Sequence, residues 1–166
     1  MYFNSSAFIA FLATFLLLYF LLRDSLRNRN RLIGGASYFF YAWWDWRFTG
    51  LLLLSSVVDY YVGLSMKDAG SVKRRRLLIL SLSVNLGVLA FFKYCNFFIE
   101  NLDHLSSFFG VALNPRMVNV ILPVGISFYT FQSLSYTIDV FRKQIIPTRD
   151  LTAFLAYVSF FPQLVA

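Results

Sequence analysis

Residues 123–139 read PVGISFYTFQSLSYTID, and this stretch decides the fold. It is apolar enough to lie in a bilayer, yet it carries many polar side chains, and on a helix these fall on more than one side. A helix that faced lipid all round would leave such groups unpaired, at several kcal/mol each in hydrocarbon. The stretch therefore predicts a helix that is enclosed by other helices or lines a polar cavity.

The start of this helix is marked by Pro123 and Gly125. Proline suits the first helical turn, because the N–H that it lacks would be unpaired there anyway. An alternative is that the same pair breaks a longer helix that runs from about Met117.

The composition is that of a membrane protein. The chain is 58% hydrophobic and 20% aromatic with 14% charged residues, whereas soluble domains are about a quarter charged. The net charge of +7 comes from Lys and Arg clustered beside apolar runs, which favours anionic lipid and the positive-inside rule over nucleic-acid binding. The single cysteine, Cys95, excludes an intrachain disulfide.

Apolar runs predict an all-α, polytopic bundle of about six helices in a single membrane domain over residues 1–166. The approximate spans are residues 3–22, 32–44, 48–66, 77–98, 117–140 and 151–166. A signal peptide is the alternative for the first run, but basic residues follow this run and do not precede it. The basic loops after the first, third and fifth spans predict a cytoplasmic side there and an N-terminus outside. The second and third spans then form a hairpin that turns at residues 43–47.

Two polar residues lie within apolar runs, Asp59 and Asn85. An aspartate near the bilayer centre costs about 2.5–3.5 kcal/mol on insertion scales, so it needs a partner such as Lys93 or a tyrosine hydroxyl, or it lines a substrate path. Asn85 is most simply an interhelical hydrogen-bonding residue. Within residues 123–139 the candidate core or tunnel residues are Ser127, Tyr129, Gln132, Ser133, Tyr136 and Asp139.

The chain has one histidine, His104, in a predicted outer loop over residues 99–116. A short interfacial helix around residues 105–109 is an alternative within this loop. General acid–base catalysis often uses histidine, but a loop position favours an exposed side chain without a catalytic role. The sequence contains no glycine-rich phosphate loop and no metal-ligand spacing. It therefore predicts no bound metal and no catalytic residue in this chain.

Four stretches of the chain resemble one known family. The string PVGISFYTFQSLSYTIDVFR at 123–142 is similar to a signature of the membrane-bound O-acyltransferases, in particular the branch that includes alginate O-acetyltransferase. The other matches keep the family's order: SYFFYAWW at 37–44 with SVVDYYVG at 56–63, FFKYCNFF at 91–98, and FLAYVSFFPQLVA at 154–166. The family's catalytic histidine would lie beyond residue 166, so the resemblance implies an N-terminal fragment that is inactive alone.

The resemblance implies that the intact protein O-acetylates a bacterial cell-surface polysaccharide such as alginate, in the inner membrane. Acetyl-CoA or an acyl carrier would be a substrate and not a bound cofactor, and periplasmic acetyltransferases would be partners. Residues 123–139 would pack near the acyl-transfer tunnel, which favours roles for Gln132, Ser133 and Tyr136. Two alternatives are a transporter or flippase subunit, for which a broken helix with intramembrane polar residues is also typical, and a non-catalytic membrane scaffold.

Overall fold

The computed structural model describes residues 5–108 and 121–164, and this part of the chain is helical without a strand. The helices are α1 (Ser6–Leu21), α2 (Leu26–Met66), α3 (Ser71–Phe108), α4 (Ile126–Phe141), α5 (Leu151–Val158) and α6 (Phe161–Leu164). The all-α prediction is confirmed. The described residues form five helices and one four-residue helical turn, α6. The sequence predicted about six helices, but two of its segments, 32–44 and 48–66, both belong to α2.

Helix α2 reverses its direction at Asp45, whose backbone angles (φ −155°, ψ 108°) are extended. A Cβ on Gly34 would lie 3.9 Å from the backbone of Ala156, and the rings of Tyr60 and Phe154 are 5.8 Å apart at their centroids. In a straight helix, residues 34 and 60 would be about 39 Å apart, at about 1.5 Å per residue. Because both contact α5, the two arms of α2 lie side by side.

The tip of this hairpin is organised by Asp45. Its Oδ1 accepts hydrogen bonds from the backbone N–H of Arg47 (3.0 Å) and from the Arg47 Nε–H (3.2 Å). A carboxylate in this position satisfies a backbone donor that the first turn of a helix leaves unpaired. The side chains of Trp43, Trp44 and Trp46 are exposed around the tip. The reversal lies inside residues 43–47, where the sequence predicts the turn.

The second arm of α2 runs antiparallel to α3. The rings of Phe48 and Phe92 meet edge to face at 5.8 Å near the tip, and Asp59 bonds to Ser81 nearer the other end. Helix α4 packs across both of these helices. It buries Thr130, Ser133 and Thr137, one of the polar sides expected from the sequence, while Phe128 and Phe131 remain exposed. In the described part of the chain, therefore, other helices cover only one side of α4.

The chain returns to one end of the bundle between α1 and α2, between α2 and α3, and between α4 and α5. Contacts join the second and third of these connections: the Tyr60 hydroxyl donates to the carbonyl of Arg149 at 2.7 Å, and Arg74 donates to the carbonyl of Val140 at 2.8 Å. Arg27, which follows the first connection, is close enough to Asp150 for its charge to act on that carboxyl. The sequence has 15 basic residues, and all except Arg47, Lys93 and Arg116 lie in or next to these three connections. We call this end of the bundle the basic end.

The outer surface of the helices is apolar. Leu17, Phe20 and Phe98 are more than half exposed, which is expected for side chains that face lipid. Two helices, α2 and α3, contain stretches long and apolar enough to cross a membrane. The chain is thus a helical membrane protein, and the individual spans remain predictions.

Helix α3 is longer than the sequence prediction, which placed an outer loop at residues 99–116. The helix continues to Phe108, so that the backbone at His104 is helical. The first strong helix breakers after Gly87 are Gly110 and Pro115, and polar residues such as Asn101 do not stop a helix. Residues 109–120 lie outside the described residues. They include the rest of that predicted loop, the start of the predicted 117–140 span and the start of the alternative longer helix from Met117.

The last predicted helix, over residues 151–166, is interrupted. Helix α5 ends at Val158, and α6 begins at Phe161. Pro162 explains the break, because it offers no N–H to the carbonyl of Val158, four residues earlier, and in a continuous helix its ring would clash with that carbonyl. Ser159 ends α5, with its hydroxyl donating to the carbonyl of Leu155 at 2.7 Å.

Replacing Asp150 by alanine is expected to lower the free energy of unfolding by about 1 kcal/mol, since Asp150 caps α5. Its Oδ1 accepts hydrogen bonds from the Thr152 hydroxyl (2.7 Å) and from the backbone N–H groups of Thr152 (2.9 Å) and Ala153 (3.2 Å). These bonds, chiefly the one from the Thr152 hydroxyl, and the charge of Arg27 lower the pKa of this carboxyl.

A pKa that is lower in the folded chain means that the cap contributes fully above the unfolded pKa of about 4 and is lost as the pH falls through the folded value. Unfolding by SDS titration at a series of pH values measures this. Asp150→Asn is the matched control, because it keeps an acceptor that does not titrate. A pH dependence that is unchanged in Asp150→Asn would assign the effect to another group.

Candidate functional site

The carboxyl group of Asp59 is fully buried where α2, α3 and α4 meet. Its Oδ1 accepts hydrogen bonds from the Ser81 hydroxyl at 2.6 Å and from the Asn85 amide Nδ2 at 2.9 Å, and its Oδ2 accepts from the same Nδ2 at 2.9 Å. Both carboxyl oxygens therefore have donors, which is the condition for burying such a group.

No cation pairs with Asp59 within residues 5–108 and 121–164. The ion pairs found there are Arg23–Asp24 and Arg47–Asp45. The suggestion that Lys93 pairs with Asp59 is wrong, since its ammonium group lies near the ring of Tyr94, 5.8 Å from the centroid. The partners of Asp59 are the Ser81 hydroxyl and the Asn85 amide, and not the lysine or tyrosine suggested by the sequence.

Asn85 connects the carboxyl to a third helix. Its Nδ2 donates to Asp59 and to the carbonyl of Ser81 (3.0 Å), and its Oδ1 accepts from the hydroxyls of Ser55 (2.6 Å) and Ser133 (3.5 Å). The orientation of the amide follows from these partners, because only its NH2 group can donate to a carboxylate. We call Ser55, Asp59, Ser81, Asn85 and Ser133 the polar cluster.

The sequence predicted three members of the polar cluster and missed two. Asp59, Asn85 and Ser133 were candidates, whereas Ser55 and Ser81 were not. A signal was present, because Ser55 precedes Asp59 by four residues and Ser81 precedes Asn85 by four residues, so each lies one helical turn away on the same face.

The other candidates of α4 lie apart from the polar cluster. Ser127 is half-buried and lines a cleft of about 330 Å³ beside Pro123 and Gln163. Tyr129 is fully buried, and its hydroxyl has no hydrogen-bond partner among the described atoms. Gln132 donates through Nε2 to the carbonyl of Tyr157 at 2.8 Å, which ties α4 to α5.

Tyr136 and Asp139 lie towards the basic end. The Tyr136 hydroxyl accepts a hydrogen bond from the backbone N–H of Thr148 at 3.2 Å, and its ring packs on Phe154 at 4.6 Å between centroids. Asp139 is half-buried and, with Tyr136, Thr148 and Tyr157, lines a cleft of about 390 Å³. The structure thus separates the candidates: some belong to the polar cluster, some line the two clefts, and Tyr129 and Gln132 do neither. Their roles in a tunnel remain predictions.

The N-terminal end of α4 is held by the turn at residues 123–125. The Tyr41 hydroxyl donates to the carbonyl of Val124 at 2.9 Å, and Gly125 adopts a left-handed backbone (φ 75°) as the residue before the helix. A Cβ at Gly125 would lie 2.5 Å from the carbonyl oxygen of Leu164, so only glycine fits. The prediction that Pro123 and Gly125 mark the start of this helix is confirmed.

Chemically, the polar cluster is a set of donors and acceptors that satisfy one another. It contains no imidazole or amine, the groups that usually activate a serine. Across the described residues, no group of three or more His, Cys, Asp or Glu side chains is placed to hold a metal ion. The geometry therefore supports a role in joining three helices, and the clefts lined by Ser127 and by Asp139 open beside α4.

Comparison with known proteins extends over the whole chain. The chain is 44% identical over 170 residues to the probable alginate O-acetylase of Azotobacter vinelandii, covering 100% of the chain and 33% of that protein. The relative in Pseudomonas aeruginosa, of the same description, is also 44% identical, with 100% and 32% covered. A peptidoglycan O-acetyltransferase of Helicobacter pylori is 35% identical, with 99% and 36% covered. No family model and no solved structure matches.

The chain belongs to the membrane-bound O-acyltransferase family. The motifs quoted from the sequence predicted this family, and the similarity confirms it. Nothing in the comparisons supports the transporter alternative. The chain spans about a third of the length of the relatives that it matches.

Proposed function

We propose that this chain is part of a membrane-bound O-acyltransferase that acetylates a bacterial cell-surface polysaccharide. The observation that carries the proposal is the similarity over the whole chain to proteins described as alginate O-acetylases. Alginate is the acceptor favoured by that similarity, since the relative described as a peptidoglycan O-acetyltransferase is less similar.

In this reaction a sugar hydroxyl oxygen attacks the carbonyl carbon of the acetyl group. The C–O bond of the new ester forms as the bond from the acetyl group to its donor breaks, and the hydroxyl proton passes to a base. The donor is acetyl-CoA or an acyl carrier, used as a substrate. Asp59 carries the one carboxyl group of the polar cluster, and both of its oxygens already accept hydrogen bonds inside the bundle. We therefore assign the polar cluster a role in the scaffold of the site and not that of the general base.

The arrangement of charge supports an orientation in the bilayer. The basic end would face the cytoplasm and the hairpin tip at Asp45 the opposite side, as the positive-inside rule requires. This places α1 with its N-terminus outside, in a multi-pass protein of the cytoplasmic membrane. Donor from the cytoplasm and acceptor from outside would then reach opposite ends of α4, with periplasmic acetyltransferases as further partners.

A chimera tests the proposal. The segment of the Pseudomonas aeruginosa relative that aligns with this chain is replaced by residues 1–166, and the O-acetyl content of alginate is measured in cells that lack the native protein. We expect restored acetylation from the chimera and none from residues 1–166 alone. A chimera that carries Asn101→Leu, an exposed position on α3, is the matched control. A chimera that inserts into the membrane in normal amounts but leaves alginate unacetylated would contradict the proposal.

A further inference from the structure

A cleft of about 330 Å³ opens at the basic end between the start of α3 and the turn after α4. Three cationic side chains line it together with apolar ones: Lys67, Arg74 and Lys143 with Val140, Ile145 and Ile146. We call it the basic cleft. None of its cations takes part in the ion pairs found among the described residues, and no acidic side chain lines it.

Arg74 is the buried member of the basic run at the start of α3. Its residue is 9% exposed, whereas Lys73, Arg75 and Arg76 are exposed. One guanidinium nitrogen, Nη2, donates to the carbonyl of Val140 at 2.8 Å, but the buried Nε–H has no acceptor among the described atoms. An unsatisfied buried donor on a cation is unfavourable, and an anion in the basic cleft would satisfy it.

Lys143 is held in the left-handed backbone region, with φ 62°. The backbone N–H of Lys143 donates to the carbonyl of Val140 (3.1 Å), and that of Gln144 donates to the carbonyl of Asp139 (2.9 Å), the pattern that ends many helices. Glycine is the usual residue at this position because a side chain is strained there. Lys143 lines the basic cleft together with Arg74, so this strained position places a second cation at the cleft.

The apolar part of the basic cleft indicates what kind of anion fits. Ile146 is 81% exposed and Ile145 is 40% exposed, directly beside the three cations. A free inorganic anion gains nothing from contact with exposed isoleucines, because it has no apolar surface. A phospholipid presents a phosphate group joined to acyl chains, so it can contact both the cations and the isoleucines. Arginine binds phosphate through a planar fork of donors, and anionic lipids are concentrated in the cytoplasmic leaflet.

We propose that the basic cleft binds the phosphate group of an anionic phospholipid, with Arg74 and Lys143 as its ligands and the two isoleucines against the acyl chains. The site lies at the headgroup level of the basic end. The proposal concerns lipid binding alone and does not depend on acyl transfer.

The test uses the purified chain in neutral detergent, with bound lipid counted by native mass spectrometry. Short-chain phosphatidylglycerol is titrated against short-chain phosphatidylcholine at physiological ionic strength, where exposed charges are screened. The variants are Arg74→Gln and Lys143→Gly, and the matched control is Arg75→Gln, which removes the same charge from an exposed neighbour. Lys143→Gly also relieves the backbone strain, so circular dichroism should show that it remains folded.

We expect the wild-type chain to prefer phosphatidylglycerol and each cleft variant to weaken this binding by about tenfold, the loss typical of a hydrogen bond to a charged group. Arg75→Gln should change it by no more than about twofold. Equal losses in all three variants would overturn the proposal, because binding would then be a property of the whole basic surface. Displacement of the lipid by inorganic phosphate at a matched concentration would also overturn it, since the site would then recognise a soluble phosphate.

Discussion

Replacing Asn85 by leucine is expected to lower the free energy of unfolding by about 3 kcal/mol, the upper end of the range for leaving a buried polar group without its hydrogen-bond partner. The substitution removes the amide that donates to both oxygens of Asp59 and the oxygen that accepts from Ser55. Leucine has a similar volume, so the effect comes from unsatisfied polar groups and not from a cavity. Unfolding by SDS titration of the chain in detergent measures it.

Two further variants separate this mechanism from general damage to α3. Asn101→Leu is the matched control, because Asn101 is exposed on the same helix and should change stability by no more than about 0.5 kcal/mol. The double variant Asp59→Leu with Asn85→Leu should be more stable than Asn85→Leu alone, since it removes the stranded carboxyl. Simple addition of the two single losses would show that the two side chains act independently, contrary to the structure.

Replacing Gly125 by alanine is expected to cost about 3 kcal/mol or more, for two reasons that add. An alanine at φ 75° is strained by about 1–2 kcal/mol, and its Cβ would lie 2.5 Å from the carbonyl oxygen of Leu164. That oxygen belongs to the backbone, so α6 must move away from α4 to make room. The loss appears in the same SDS titration.

Gly50→Ala is the control for Gly125→Ala. Gly50 is an exposed helical residue of α2, and nothing lies within 4 Å of a Cβ built there. Alanine in a helix interior is more stable than glycine by about 0.5–1 kcal/mol, so this variant should gain stability. The two substitutions are chemically identical and have opposite expected signs. A loss of similar size at both positions would mean that Gly125 is not special.

The parts of the fold that the sequence predicted are those controlled by residues with strong local preferences. Pro123 and Gly125 marked the start of α4, and the polar interruption at residues 45–47 marked the reversal of α2. Pro162 lies inside the predicted 151–166 span, and the apolar pattern alone does not predict the break that it causes between α5 and α6. The pattern also places the end of α3 too early, because the polar residues around Asn101 favour a loop but are compatible with a helix.

The candidate site was predicted as a set of residue types but not as a set of contacts. Asp59 and Asn85 were singled out because an intramembrane polar group is costly, a property of the residue itself. Their partnership depends on the register between α2 and α3, and the spacing along the chain does not specify that register. The same limit applies to Arg74, which differs from Arg75 by its burial against α4 and not by its sequence neighbourhood.

The hairpin form of α2 has a consequence for how the protein enters the bilayer. The second arm has about 20 residues, the length that crosses the hydrocarbon core once, whereas the apolar part of the first arm, residues 32–44, is shorter because basic residues precede it. In the proposed topology both arms insert together as one unit. The tip must then pass through hydrocarbon, and the charged residues that it carries are Asp45 and Arg47, which pair at 3.2 Å. A paired tip presents no net charge during that passage, which lowers the electrostatic barrier to translocation of the hairpin.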